Sequence, residues 1–562
     1  MTLSKHFDVE EITHKLLNRT PKTTLSKDQH FLSAYDSNQV IPKFLIPENS
    51  TDAELVYKYL LEELTLDGIP TLNLASFVTT TINDFPKRLA VENLTKNLAD
   101  NDEYPSLIEF QNRCISILSN LWHAPTTPHP ETGVSVPTTI GAATTGSSEA
   151  IMLGGLALKK SWQLRQKAAG KSTENPNIIM ASCAQVALEK FARYFDVEDR
   201  IVPISKESRH VIDVSKIKEN IDENTIGIFV ILGSTFNGAF EPVEQIAKLL
   251  DEVEKEKGLD IKIHVDGALG AFVAPFLFPN LKWDFAVDRV VSINTSGHKF
   301  GLTSAGLGWV IWRDAKQLPE NLRFKLDYLG GVEETFGLNF SRPGFQVVHQ
   351  YYNLLHLGRD GYTKIFESCQ QNARLLANVL EKSEYYDVVS EIHKKVDTKR
   401  QDELYTLKGT RSENEGYEPG LPVIAFKLKD EIRKKYPELP QLIISLLLRN
   451  KGFIVPNYHF PANEQNVEIL RVVVKESLSL NLLDKLMTDI IESTELLLNA
   501  CTTAREIVKH HGSEKEQHAL IYEILLSIAS GGVEDVKAAQ HAAYDKEGTG
   551  HRKHKKSYRG AC

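Results

Sequence analysis

The stretch that decides the fold spans residues 225–272 and reads TIGIFVILGSTFNGAFEPVEQIAKLLDEVEKEKGLDIKIHVDGALGAF. It opens with an apolar run, continues with a helical pattern at residues 242–257 and closes with a second apolar run that ends before Asp266. This order is typical of two parallel strands joined by a helix, since parallel strands need a long crossover connection.

The same alternation occupies the chain from about residue 72 to residue 368. Apolar runs such as NIIMAS and AVDRVVSI alternate with helical runs such as QVALEKFARYF. The pattern predicts an α/β domain with a mostly parallel sheet. In such sheets ligands bind at the carboxyl ends of the strands, so polar residues that directly follow a strand are the candidates for chemistry.

The chain of 562 residues is too long for one simple core, and we predict four segments. Residues 1–71 form an N-terminal helical segment, and residues 72–368 form the large domain. Residues 369–500, which include LPVIAFKLK and VEILRVVV, form a smaller α+β domain. Residues 501–562 form an extension that ends in the basic tail HRKHKKSYRGAC.

Composition and charge exclude several classes of protein. The net charge of -9 argues against a general nucleic-acid binder. The five cysteines are scattered and fit neither a disulfide framework nor a zinc-binding pair, so we expect a reducing compartment and no metal site. No apolar run has the length of a membrane span, and the first residues lack the apolar core of a signal peptide. A cytoplasmic location is the expectation.

The first candidate cluster is GAATTGSSEAIMLGGLALKK, in which Ser147 and Ser148 stand between a run of small residues and a helical pattern. A helix N-terminus with free N–H groups and two hydroxyls favours a phosphate. The alternative interpretation of this stretch is a serine that only caps the helix. These residues alone leave both interpretations open.

The second and third clusters carry an acid and an amine. Asp266 follows the apolar run IKIHV, where a carboxylate can pair with a protonated ring nitrogen or can simply stabilise a turn. Lys299 lies in SINTSGHKFG between two apolar runs, where it is either a solvated charge or an amine placed to form a Schiff base. Together, an anion site, an aspartate and a lysine are what pyridoxal 5'-phosphate requires.

At this point the sequence resembles the glutamate decarboxylase family of fold-type I pyridoxal-phosphate enzymes, with a eukaryotic microbial member as the expected kind. The resemblance covers about residues 73–474 and rests on ten markers in order: EYPSLIEFQNRCISILSNLWHAP, TTGSSEAIMLGGLALK, FARYFDVEDR, GSTFNGAFEPV, HVDGALGAF, SGHKFGL, GWVIWRD, DYLGG, NFSRP and LGRDGYTKI. It implies a seven-stranded, mostly parallel sheet in the large domain. It also implies conversion of L-glutamate to 4-aminobutanoate and CO₂ through an external aldimine of the cofactor.

The resemblance further implies a role for each matching position. Lys299 corresponds to the Schiff-base lysine and Asp266 to the partner of the ring nitrogen. The other cofactor contacts implied are Ser147, Ser148 and His298 at the phosphate, Gln185 and Ala268 on the two ring faces, Thr235 near the ring hydroxyl, and Ser341 at the phosphate of a neighbouring subunit. The substrate contacts implied are Ser76, Phe77, Asn97, Asp100 and Arg471, of which Arg471 serves the α-carboxylate. Without the resemblance, the alternative for Arg471 is an ion pair at the rim.

Active sites shared between subunits imply a homo-oligomer that is a dimer at least, with a hexamer left open. Plant members of the family have a calmodulin-binding tail. Here the tail is basic but contains no tryptophan, so a solvated end is the expectation and calmodulin is the alternative.

Gly267, Leu269 and Ala271 depart from the family pattern, as does Ser76, and these changes bear on substrate preference. The same cofactor residues also serve transamination and decarboxylation of aromatic amino acids, so these reactions remain alternatives. A non-catalytic regulatory homologue is expected to lack Lys299, Asp266 or the serine pair, and all of them are present.

Overall fold

The computed structural model describes residues 44–129, 132–326, 333–396, 414, 416–510 and 512–529. The predicted basic tail lies outside these residues, as do residues 1–43. The chain divides into two compact units, Met1–Ile69 and Pro70–Cys562. The first unit contains the helix Ala53–Leu64, which begins at Asp52, whose carboxylate accepts a hydrogen bond from the Leu55 amide at 3.0 Å. Among the described residues, no helix combines the length and apolarity that crossing a membrane requires.

The strands belong to the second unit. They are β1 Thr126–Pro128, β2 Ser135–Pro137, β3 Ile140–Thr144, β4 Asn177–Ala181, β5 Glu198–Val202, β6 Thr225–Ile231, β7 Ile263–Asp266, β8 Val290–Ser296, β9 Gly308–Trp312, β10 Phe324–Leu326, β11 Glu333–Thr335, β12 Tyr386–Val388, β13 Val423–Leu428, β14 Asn457–His459 and β15 Glu468–Val473.

The large sheet has seven strands in the order β3-β9-β8-β7-β6-β4-β5. Strands β8, β7, β6, β4 and β5 pair in parallel, and β9 is antiparallel to both of its neighbours. This architecture confirms the predicted α/β class with a mostly parallel seven-stranded sheet.

The central strands of the large sheet have continuous apolar sequences because helices cover both faces of the sheet. Every residue of β4, β6, β7, β8 and β9 is buried, as expected for strands that are covered on both faces. The helices that precede, connect and follow these strands are Asp84–Glu92, Pro105–Leu121, Ser147–Ala168, Val186–Tyr194, Val243–Lys257, Gly270–Leu277 and Phe345–Lys382, the last of which is broken at Gly358.

A second sheet, in the order β12-β13-β15-β14, is antiparallel throughout. Its helices are Asp430–Lys435, Leu442–Asn450, Leu480–Val508 and Glu514–Ala529, and a separate apolar cluster forms between this sheet and the longer helices. Ile521, Leu525 and Ala529 of the last helix are buried in that cluster. The helix Phe345–Lys382 contributes to both apolar clusters, and the boundary predicted between residues 368 and 369 falls inside it. The four predicted segments stay predictions.

The register of the large sheet brings several strand ends to one edge. Gly308 at the start of β9 pairs with Thr144 at the end of β3 on one side and with Ser296 at the end of β8 on the other. Two rows further into the sheet, Asp266 pairs with Asn294 and with Ile231. The residues that follow β3, β6, β7 and β8 therefore emerge at the same edge.

The packing of the helix Ser147–Ala168 against its neighbours generates a prediction about stability. A Cβ atom at Gly155 would lie 2.5 Å from the buried Phe191 ring. We expect Gly155→Ala to destabilise the protein by about 1–3 kcal/mol, because overpacking outweighs the roughly 1 kcal/mol gain in helix propensity. Urea denaturation measures the change. Leu164→Ala, on the exposed side of the same helix, is the control, and equal effects of the two substitutions would contradict the packing argument.

Candidate functional site

Five strands of the large sheet are each followed by residues that the sequence singled out. Ser147 and Ser148 follow β3, Gln185 follows β4, and Thr235 follows β6. Asp266 ends β7, with Ala268 two residues later, and His298 and Lys299 follow β8. The parallel strands and the row through Gly308 place these residues along one edge of the sheet.

The start of the helix Ser147–Ala168 has the features of an anion site. Gly146 precedes it with φ 153°, a conformation that favours glycine, and no side chain caps the helix. The backbone approaches β9 so closely that a Cβ at Gly308 would lie 2.7 Å from the Ser147 amide nitrogen. Ser147 is buried, and its hydroxyl accepts a hydrogen bond from Ser296 at 2.8 Å, whereas Ser148 is exposed. Uncapped N–H groups and the helix dipole favour a phosphate here.

The turn that carries Lys299 lies beside this anion site. The Nδ1 atom of His298 accepts a hydrogen bond from the Leu307 amide at 3.2 Å, so the proton of the neutral ring is on Nε2. Burial, and then the charge of Lys299, lowers the pKa of His298 to about 4. The His298 ring lies 3.3 Å from where a Cβ of Gly146 would be, so a neutral N–H donor borders the site. Lys299 itself is half-buried.

Asp266 is held by a buried network. Its Oδ1 atom accepts hydrogen bonds from the Ala268 amide at 3.1 Å and from the Asn294 side-chain amide at 2.9 Å. The Asn294 oxygen pairs with Nε2 of His264 at 2.7 Å, and Nδ1 of His264 pairs with the Ser292 hydroxyl at 2.7 Å. Because both hydrogen bonds to the Asp266 carboxylate from the described residues reach Oδ1, Oδ2 is left for a cationic ring nitrogen.

The sequence did not single out Asn294, Ser292 or Ser296. All three lie in β8 and are buried, and they alternate with Ile293 and Thr295. Since alternate residues of a strand share a face, the three polar side chains lie on one face of β8. Polar residues at positions 292, 294 and 296 of a strand that follows an apolar run are the signal that could have identified them.

Gln185 and Thr235 have main-chain contacts that fix their positions. The side-chain oxygen of Gln185 accepts a hydrogen bond from the Ala187 amide at 2.6 Å and begins the helix Val186–Tyr194. The carbonyl of Thr235 accepts hydrogen bonds from Nη1 of Arg471 at 2.8 Å and from the Tyr458 hydroxyl at 3.3 Å. Arg471 on β15 is thereby joined to the residues that follow β6.

Arg471 is also joined to the segment that contains Ser76 and Phe77. Its Nη2 atom donates to the carbonyl of Ala75, and the guanidinium carbon lies 4.7 Å from the centre of the Phe77 ring. The arginine is buried, and its Nε atom has no hydrogen-bond partner among the described residues. The Thr79 amide donates to the carbonyl of His298 at 2.9 Å, which ties the same segment to the turn of Lys299.

The remaining predicted residues form a separate group. The side-chain amide of Asn97 donates to the Ser341 hydroxyl at 3.2 Å, and its oxygen accepts from the Arg342 amide at 3.1 Å. Asp100 accepts a hydrogen bond from the Glu103 amide at 3.0 Å and begins the turn at residues 101–103. Ser341 is exposed, which suits its predicted contact with a neighbouring subunit.

These features fit pyridoxal 5'-phosphate. The uncapped helix start fits the phosphate, the open oxygen of Asp266 fits the ring nitrogen, and Lys299 at the same edge of the sheet supplies an amine. The described residues contain no group of three or more His, Cys, Asp or Glu side chains that could hold a metal ion.

Comparisons with known proteins support this interpretation. Residues 76–396 match the pyridoxal-dependent decarboxylase conserved domain. A glutamate decarboxylase from Saccharomyces cerevisiae is 48% identical over 513 residues, which covers 87% of this chain and 85% of the relative. A glutamate decarboxylase from Petunia hybrida is 44% identical over 84% of this chain and 87% of the relative. The solved structure of Lactobacillus brevis glutamate decarboxylase superposes with a TM-score of 0.70 at 35% identity, covering 80% of this chain and 94% of that one.

The open oxygen of Asp266 generates a prediction about cofactor affinity. We expect Asp266→Asn to weaken the binding of pyridoxal 5'-phosphate by about 10- to 100-fold, because a neutral amide no longer favours a protonated ring nitrogen. Titration of the cofactor-free protein, followed by absorbance, measures this affinity. Asp284→Asn is the matched control, since Asp284 is equally buried but pairs with His123 at 2.7 Å. The same loss in both variants would contradict the assignment.

His264 generates a prediction about acid stability. Burial lowers the pKa of His264 to about 4, below its ordinary 6.5. The unfolded chain therefore binds this proton at higher pH, so folding stability falls as the pH decreases from about 6.5 towards 4. The slope from this one group is up to about 1.4 kcal/mol per pH unit.

We expect His264→Gln to show a shallower loss of stability than the unchanged protein over that pH range. Urea denaturation at several pH values, with the cofactor present, gives the slopes. The exposed His459 is the control site, and His459→Gln should retain the original slope. Parallel curves for the unchanged protein and His264→Gln would refute the prediction.

Proposed function

We propose that this chain, which belongs to the glutamate decarboxylase family of pyridoxal-dependent decarboxylases, converts L-glutamate and one proton to 4-aminobutanoate and CO₂. One observation carries the proposal. The buried Arg471 bonds to the carbonyl of Thr235, at the cofactor edge, and to that of Ala75, next to Ser76 and Phe77. A cation for a substrate carboxylate thus lies between the cofactor residues and the predicted substrate segment.

The residues at this edge of the large sheet have different roles in binding the cofactor. The helix start at Ser147 and Ser148 and the Nε2 proton of His298 bind the phosphate. Asp266 keeps the proton on the ring nitrogen, because a nearby carboxylate favours the cationic form. When bound, pyridoxal 5'-phosphate accepts the electron pair that remains on Cα when the carboxylate departs as CO₂. Lys299 would hold the cofactor at its aldehyde, because it is the amine that lies at this edge of the sheet.

The residues around Arg471 orient the substrate. The guanidinium binds the α-carboxylate through Nε, which is otherwise buried without a partner. Phe77 and Tyr458, whose ring centres lie 4.7 and 5.6 Å from the guanidinium carbon, limit the access of water and strengthen this charge interaction. Ser76 and Phe77 would contact the distal carboxylate. Asn97 and Asp100, which lie in the separate group with Ser341, would complete the pocket around the subunit interface. Holding both carboxylates fixes which bond to Cα is broken.

We further propose a homo-oligomer, a dimer at least, in which Ser341 of one subunit reaches the phosphate site of the next. The exposure of Ser341 and of Leu338 and Phe340 beside it supports this assembly. A hexamer and binding of calmodulin by the tail stay alternatives for measurement, and the cytoplasmic location stays a prediction.

The test is product analysis of the purified protein with pyridoxal 5'-phosphate and L-glutamate, beside L-aspartate and L-tyrosine. We expect 4-aminobutanoate and CO₂ from glutamate alone. Lys299→Ala should abolish turnover and the visible absorbance of the bound cofactor, whereas Lys282→Ala, at an exposed lysine, should change neither. Cofactor binding without consumption of glutamate would reject the substrate, and normal turnover by Lys299→Ala would reject the site.

A further inference from the structure

Lys475 is a buried lysine to which the proposed mechanism gives no role. Its side chain follows β15, and only 2% of the residue is exposed. The Nζ atom donates to the carbonyl of Asn73 at 3.0 Å and to the carbonyl of Val78 at 3.3 Å. One ammonium thus joins two points of the chain that are five residues apart, on either side of Ser76 and Phe77.

The residues between these two carbonyls form an irregular loop that side chains stabilise from within. The Asn73 side-chain oxygen accepts hydrogen bonds from the amides of Ala75 at 3.1 Å and Ser76 at 3.2 Å. The Ser76 hydroxyl accepts one from the Val78 amide at 3.1 Å. Without a regular ladder to fix its shape, residues 73–78 depend on such contacts and on Lys475 at its ends.

β15 and the residues directly after it hold this loop at several points. The amide of Val473 donates to the carbonyl of Leu74 at 2.9 Å, and Arg471 donates to that of Ala75. Glu476 accepts a hydrogen bond from the Thr79 hydroxyl at 2.6 Å. Lys475 is the member of this set that binds both ends of the loop.

We propose that Lys475 is a positioning residue that holds the 73–78 loop in its substrate-binding shape and thereby sets the affinity for the acidic side chain of the substrate. This inference rests on the proposed function, in which Ser76 and Phe77 contact the distal carboxylate. Lys475 itself acts through the loop.

The charge of Lys475 supports this role. Burial lowers the pKa of its ammonium to about 8, and the neighbouring Glu476 opposes that shift. At neutral pH the group therefore keeps its charge, and hydrogen bonds from a charged donor to main-chain carbonyls are stronger than those between neutral groups. Removing the ammonium leaves two carbonyls without this donor.

The test separates affinity from turnover. We expect Lys475→Met to raise KM for L-glutamate by about 10-fold or more while kcat and the affinity for pyridoxal 5'-phosphate change less than about threefold, since the loop binds substrate and not cofactor. Lys475→Gln keeps a polar group that is too short for both carbonyls and should raise KM less. Lys475→Arg keeps the charge and several donors, so its KM should stay within about threefold of that of the unchanged protein.

Lys159→Met is the matched control, because the Lys159 ammonium also donates to a main-chain carbonyl, that of Phe195, and burial also lowers its pKa. It should leave KM unchanged. Hydrogen exchange of the amides of residues 74–79, measured without substrate, should be faster in Lys475→Met than in Lys159→Met.

The outcomes are distinguishable. An unchanged KM in folded Lys475→Met or Lys475→Gln overturns the proposal, as does unchanged hydrogen exchange in the loop. A parallel fall of kcat, cofactor affinity and thermal stability assigns Lys475 to general folding and also overturns it. If the unchanged protein does not consume glutamate, the proposed function fails, while the exchange measurement still decides whether Lys475 holds the loop.

Discussion

The hydrogen-bond register between β7 and β8 is the constraint on which the site depends. It sets Asp266 opposite Asn294, whose amide bonds to the aspartate and to His264. Since successive side chains of a strand point to opposite faces, a shift of one residue would turn Asn294 away from Asp266. The same face of β8 carries Ser296, which bonds to Ser147 at the phosphate site. One strand therefore connects Asp266, the start of the helix Ser147–Ala168 and the turn of Lys299.

A second constraint joins the small antiparallel sheet to this edge. Arg471 and Lys475 hold the loop that contains Ser76 and Phe77, and Thr79 at its end bonds to the carbonyl of His298. The loop is thus held by β15 and the residues after it on one side and by the turn of Lys299 on the other. A buried guanidinium and a buried ammonium are costly to desolvate, and both are tolerated here because carbonyl groups compensate them. Main-chain contacts therefore join the loop both to the small sheet and to the turn of Lys299.

The sequence predicted the α/β class and the residues at the strand ends, because strand ends are visible as the points where apolar runs stop. Ser147, Asp266 and Lys299 were found in this way, and the resemblance to a family supplied their chemical roles. Asn294 and Ser296 were not singled out, although their alternation in β8 was a local signal. Lys475 had no such signal, since a lysine after an apolar run is usually solvated.

What the sequence by itself determined is the order of strands and helices and the family, because apolar periodicity and motif residues are local properties of the chain. What only the tertiary structure decided is which distant residues meet. Asn73 and Lys475 are about 400 positions apart, and their contact depends on how β15 and the residues after it pack beside the residues that precede the large sheet. Pairings of this kind arise from burial and from the need to satisfy buried carbonyls, which no short stretch of sequence encodes.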